Sequence, residues 1–113
     1  MKLVDIAAAL DCEALTPLDG VADIDTVVAS DGMSEILAFH TPGAVMLTGL
    51  TNIQSVRTAV VADVHAIIYV RGKQPPEAVC ELARDKGIPL LSTQLGMFES
   101  CGILYTTGLK GAM

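Results

Sequence analysis

A chain of 113 residues with 51% apolar content builds one ordinary domain around a single core and leaves no room for a second. Its formal charge is −6, and its 7 basic residues are scattered from Lys2 to Lys110. That pattern excludes nucleic acid and an anionic membrane as the main partner, because both need a concentrated basic face. The apolar runs are short, of the kind seen at Ala66–Val70, and none reaches the roughly 18 residues that a membrane span needs.

The opening run MKLVDIAAAL carries Leu3, Ile6, Ala7 and Leu10 at helical spacing, so residues 2–10 are read as a short amphipathic helix. Asp5 interrupts what would otherwise imitate a secretory leader, and the Asp-Cys-Glu that follows is a poor cleavage site, so a cytoplasmic protein is expected. Glu13–Leu15 reads as a brief strand, and the turn-rich TPLDGVADID, with Pro17 and Gly20, leads to the β-branched strand DTVVAS. Met33, Ile36 and Leu37 then share a helical face through about His40, with Ser30 or Asp31 available as N-cap, before Pro42 and Gly43 end the helix.

AVMLTG is the next strand. Ile53, Val56, Val60 and Val64 mark the apolar stripe of the helix after it, leaving Arg57 and Asp63 toward water. Thr51-Asn52-Ile53-Gln54 matches the Thr-x-x-Gln capping box, which predicts that Thr51 caps the amide of Gln54. AIIYV is a continuous apolar run of the kind buried on both faces of a parallel sheet. RGKQPP introduces a helix with Pro76 in its first turn and Val79, Leu82, Ala83 and Lys86 in register, stopped by Gly87 and Pro89. IPLLST is a further strand, and GMFESCGILYTTG reads as a closing helix interrupted by Gly102.

Strand and helix alternate from Asp25 onward with short connections, which predicts right-handed crossovers and a largely parallel sheet with helices on both faces. The carboxyl ends of the strands then share one edge, and it collects Ser30-Asp31-Gly32, Thr48-Gly49-Leu50-Thr51-Asn52, Arg71-Gly72-Lys73 and Ser92-Thr93-Gln94. Open α/β sheets bind ligands at that edge, usually where strand order reverses.

The motifs that would assign chemistry are missing. There is no G-x-x-x-x-G-K-[ST], no G-x-G-x-x-G and no G-x-S-x-G, which argues against nucleotide hydrolysis and against a serine nucleophile. Cys12, Cys80 and Cys101 form no Cys-x-x-Cys pair, and His40 and His65 lack a second ligand at metal spacing; no metal or cofactor is expected. The cysteines and Met33, Met46 and Met97 read as core residues. Arg71 and Lys73 are a close basic pair that follows the central strand at its ligand-facing end, so they are candidates for anion recognition. Asp31 and Glu35 stand four apart, a spacing that serves either a carboxylate pair or the first turn of a helix.

The segments SDGMSEILAF, LTGLTNIQSVRTA, AIIYVRGKQPPEAVCELARDKGIPLLST and MFESCGILY, in that order, resemble the DRTGG domain over about Lys2 to Tyr105. The likeness is to its small stand-alone form, with a D-x-M-S-x-x-L-A-F segment, a T-G-L-T-N turn and a V-R-G-K-x-P loop. Gly49-Leu50-Thr51 stands where an Asp-Arg is usual, and Val70-Arg71-Gly72 where Thr-Gly-Gly is usual. The resemblance implies a three-layer α/β/α fold with a largely parallel sheet of about five strands, similar to the N-terminal domain of HPr kinase/phosphatase without its kinase site. It also implies an appended regulatory role, pairing as a homodimer, and in stand-alone members a link to hydrogenase and redox regulation.

The reading that follows is a single domain over residues 1–113, a non-catalytic regulatory or ligand-sensing module. It is expected to bind a small anionic metabolite or nucleotide, or a redox or hydrogenase-related protein, through Asp31, Thr48, Gly49, Thr51, Asn52, Arg71, Gly72 and Lys73. Two alternatives stand beside it. One is a small enzyme of phosphoryl or acyl transfer with Asp31 and Arg71 as its functional pair, and the other is a purely dimeric interaction module.

Overall fold

The structure, a computed structural model, describes residues 1–18, 21–39 and 41–112. The expectations for Gly20 and His40 lie outside the described residues. The elements are α1 (Leu3–Ala9), β1 (Glu13–Ala14), β2 (Thr26–Ala29), α2 (Met33–Leu37), β3 (Val45–Thr48) and α3 (Ile53–Ala62), then β4 (Ala66–Tyr69), α4 (Glu77–Lys86), β5 (Leu90–Ser92), α5 (Met97–Thr106) and β6 (Lys110–Gly111). No helix among the described residues is long and apolar enough to cross a membrane.

All six strands form one sheet in the order β1-β5-β4-β3-β2-β6. Every pairing is parallel except that of β1 with β5, so the expected parallel sheet stands. It has one strand more than the sequence suggested. Lys110 and Gly111 pair in parallel with Thr26 and Val27, a two-residue contact without periodicity for a sequence reading to detect.

Period-two alternation divides the core into two layers. Met46 of β3 and Ile67 and Tyr69 of β4 pack with Met33 and Ile36 of α2, Val56 and Ala59 of α3, and Val79 and Ala83 of α4. Val45 and Leu47 of β3 and Ala66 and Ile68 of β4 face the opposite way, against Leu3 and Ile6 of α1 and Leu104 of α5. The result is the α/β/α sandwich that the resemblance implies. Each fully buried Leu or Ile in it contributes roughly 1.5–3 kcal/mol of transfer free energy.

Several local readings are corrected. The buried stripe of α3 is Ser55, Val56, Thr58 and Ala59, while Val60 is 42% exposed and Val64 lies beyond the helix. Val56 is buried as expected, Ile53 packs half-buried against the same core and Val64 is buried just past the helix, so Val60 alone leaves the stripe while the hydroxyl residues Ser55 and Thr58 are buried. Leu37 is likewise exposed, and α2 ends there rather than near His40. Helix α5 runs unbroken through Gly102, an exposed residue with nothing crowding its Cβ position. The helix tolerates it because propensity costs only about 1 kcal/mol at a glycine.

The caps also differ. Asn52, not Thr51, is the N-cap of α3, its Oδ1 accepting from the Gln54 amide at 3.1 Å. At α2 the N-cap is Gly32, whose amide donates to Ser30 Oγ, and the Asp31 carboxylate points elsewhere. Pro76 stands one position before its expected place, as the N-cap of α4, and Gly87 closes that helix in the left-handed conformation. Cys80 is buried as expected, whereas Cys12 and Cys101 are half-buried.

Candidate functional site

The chain leaves β2, β3 and β4 for helices on one face and leaves β5 for α5 on the other. The expected ligand crevice therefore lies between the ends of β4 and β5. The chain closes that crevice itself. Arg71 N donates to the Leu95 carbonyl at 2.8 Å, Gly72 N to the Thr93 carbonyl at 2.7 Å, and Ser92 Oγ to the Lys73 carbonyl at 2.9 Å.

Polar groups gather instead one strand over, where β2, β3 and β4 end side by side. Asp31, just past β2, lies over the start of the β3–α3 turn. Its Oδ1 accepts from Gly49 N at 2.7 Å and from Thr48 Oγ1 at 3.2 Å. Thr48 is fully buried, and its oxygen in turn accepts from Leu50 N at 3.1 Å, so the hydroxyl links the carboxylate to the turn.

The third participant arrives from β4. Arg71 has a left-handed backbone, φ 61°, and Gly72 follows at φ 67°. The Arg71 side chain comes back across Gly49, to place Nη2 3.8 Å from Asp31 Oδ2. A Cβ at residue 49 would run into that guanidinium, so only glycine leaves the space in which Arg71 lies. On the other side, the Gln94 carboxamide packs against Gly72, 2.6 Å from where its Cβ would be.

These contacts hold the Asp31 carboxyl below its ordinary range. The Gly49 amide hydrogen bond is the main cause, Thr48, Arg71 and Lys73 assist, and partial desolvation opposes them. The Asp31 and Arg71 side chains are 56% and 47% exposed, so both also face solvent. Backbone amide, hydroxyl and guanidinium thus converge on one two-oxygen anion, an arrangement suited to holding a carboxylate or phosphoryl group.

Of the expected site residues, Asp31, Thr48, Gly49 and Arg71 come together, with Lys73 close enough to act on Asp31. Asn52 is committed to the helix cap, Thr51 precedes it half-buried, and Gly72 faces Gln94. Behind the turn, Ser55 Oγ lies 2.7 Å from the Asn52 carbonyl and 2.8 Å from the buried Tyr69 hydroxyl, tying the start of α3 to β4. Sequence reasoning missed this link, since no spacing rule pairs position 55 on a helix with position 69 on the next strand.

Reactive groups are sparse. Burial pushes the Cys12 thiol up to about 11 and raises Cys80 and Cys101 as well, which keeps all three protonated near neutral pH. Among the described residues no group of three or more His, Cys, Asp and Glu side chains is placed to hold a metal ion.

A second concave surface, of about 440 Å³, lies between α5 and the β2–β6 edge, lined by Val27, Ala29, Phe98, Cys101, Tyr105 and Leu109 among others. Phe98 is 90% and Tyr105 75% exposed there.

The model of the DRTGG domain matches residues 5–107, nearly the whole of this two-layered core and all of the converging groups. The chain belongs to the DRTGG domain family. This DRTGG domain is also similar in structure to the CBS and DRTGG domains of the regulatory region of Clostridium perfringens pyrophosphatase, crystallised with its activator diadenosine tetraphosphate. The match has a TM-score of 0.71 at 20% identity and covers 91% of this chain, which spans 45% of that one. At that identity the likeness establishes the fold. No curated protein matches the DRTGG domain described here.

Proposed function

We propose that this DRTGG domain is a non-catalytic regulatory or ligand-sensing module of the cytoplasm that binds the anionic group of a small metabolite or nucleotide at the carboxyl edge of its sheet. The observation that carries this reading is the convergence of three unlike donors from two separate loops: the Gly49 amide, the Thr48 hydroxyl and the Arg71 guanidinium. The nucleotide activator in the pyrophosphatase regulatory region supports the choice of ligand class. Hydrogen–deuterium exchange with a panel of nucleotides and phosphorylated metabolites tests it. Protection at residues 48–52 and 71–74 is expected, and a panel that leaves both segments unprotected counts against the site.

The exposure of Phe98 and Tyr105 favours a second reading, in which the α5 face pairs two copies or receives a protein, the redox or hydrogenase-related partner included. Light scattering at micromolar concentration is expected to give a dimer, and a monomer would remove the homodimer. The enzyme reading gains no such support, since the Asp31 carboxylate is engaged by the Gly49 amide, the Thr48 hydroxyl and the Arg71 guanidinium.

A further inference from the structure

The groups proposed to bind an anion already hold one. We infer that Asp31 is an internal occupant of the site, and that a phosphoryl group binds by displacing the Asp31 carboxylate from the Gly49 amide, the Thr48 hydroxyl and the Arg71 guanidinium. This rests on the anion-binding reading of the same edge.

The geometry supports the exchange. Asp31 presents one oxygen to hydrogen bonds from the amide and hydroxyl and the other to the guanidinium as an ion pair at 3.8 Å, so two oxygens of a phosphoryl group fit the same two points. No other job requires the carboxylate there. It does not cap α2, whose N-cap is Gly32, and it lies on an exposed loop between β2 and α2. The side chain is more than half exposed, so it can swing into water at little desolvation cost. The charge balance follows the same logic. Arg71 and Lys73 bring two positive charges and Asp31 one negative charge, so while Asp31 stays seated the site offers an incoming dianion only one net positive charge. Once it leaves, the Gly49 amide, the Thr48 hydroxyl and the guanidinium are all available.

The occupied state therefore sets a threshold. A ligand with one weak anionic group does not repay the lost Asp31 contacts, whereas a phosphoryl group of higher charge does. The site discriminates by charge without any contact to the rest of the ligand.

The test is an NMR titration of wild type, Asp31→Ala and Asp31→Asn with inorganic phosphate and with ADP, following the Gly49 amide. Asp31→Ala empties the site, while Asp31→Asn keeps an acceptor on the amide without the charge and guards against a turn that simply loosens. Displacement predicts that Asp31→Ala binds roughly tenfold more tightly than wild type, the strength of a charge-assisted contact, with Asp31→Asn between them. Binding by Asp31→Ala where wild type shows none also supports displacement, while removing these two probes as wild-type ligands. If wild type binds at Gly49 and both variants bind equally or more weakly, displacement is overturned and the anion site stands. If none of the three binds, both readings fall.

Discussion

Ser55 and Tyr69 form a buried hydroxyl pair that ties the start of α3 to β4, and its energetics follow from the direction of the protons. Ser55 Oγ lies 2.7 Å from the Asn52 carbonyl, which can only accept, so the serine proton goes there. Tyr69 must then donate across the 2.8 Å contact to Ser55 Oγ. Tyr69→Phe leaves the serine satisfied by Asn52 and costs about 0.5–1.5 kcal/mol, the net worth of one hydrogen bond. Ser55→Ala strands the phenol in a fully buried position and costs about 1–3 kcal/mol, less the roughly 0.5 kcal/mol by which alanine favours a helix. In the double variant no hydroxyl is stranded, so the two costs do not add. A coupling of about 1 kcal/mol is expected from urea unfolding of all four proteins. In heat, each kcal/mol corresponds to roughly 4 °C for a chain of this size. Additivity within about 0.5 kcal/mol would refute the assigned donor direction and the claim that the pair acts as a unit.

Three further outcomes are expected. Gly49→Ala should push the flexible Arg71 tip aside and leave the fold intact, costing less than about 1 kcal/mol, while any anion binding at the edge is lost; unchanged binding by calorimetry would contradict the role given to Arg71. In alkali, the Cys12 thiol at about 11 and the Tyr69 phenol at about 12 keep their protons in the folded chain after the unfolded chain has released them. Stability therefore falls as pH rises above about 9, and Tyr69→Phe should flatten the part beyond pH 10 in urea midpoints. In acid, the Asp31 contribution is present above its ordinary value of 3.8 and lost as pH falls through its lowered folded value. Carboxyl NMR should show Arg71→Ala raising the Asp31 midpoint only part of the way back, because the Gly49 amide is the larger cause; a full return would reverse that ranking.

The parts of the fold that could be read from the sequence are those in which one interaction dominates. AIIYV and AVML lie in β4 and β3, both buried on each face, and a continuous apolar run has few other places to go. The misreadings fall where two weak preferences compete. In helix α3 the expected stripe holds at Val56 and fails at Val60, which is 42% exposed, while Ser55 is buried with its hydroxyl against Tyr69. Strand β6 has only two residues and exists because the β2 edge is there to receive it.

The site was legible as a list and not as a geometry, for a related reason. Alternation of strands and helices places residues 30–32, 48–52 and 71–73 on one edge whatever their side chains do. Which of them touch depends on backbone angles that residue type constrains only loosely. An arginine at φ 61° is uncommon, and it is here that the chain, held by Leu95 and Thr93, bends so that the guanidinium crosses Gly49 and not the β5 loop. The same hydrogen bonds close the crevice that topology alone would have favoured. Sheet topology thus decides where polar loops gather, while the mutual stitching of two of those loops decides which remaining pair of strands carries the charge. An Asp-to-Arg contact across strands is a consequence of that stitching, and breaking the Gly72–Thr93 link would be expected to dissolve the site before it unfolds the sheet.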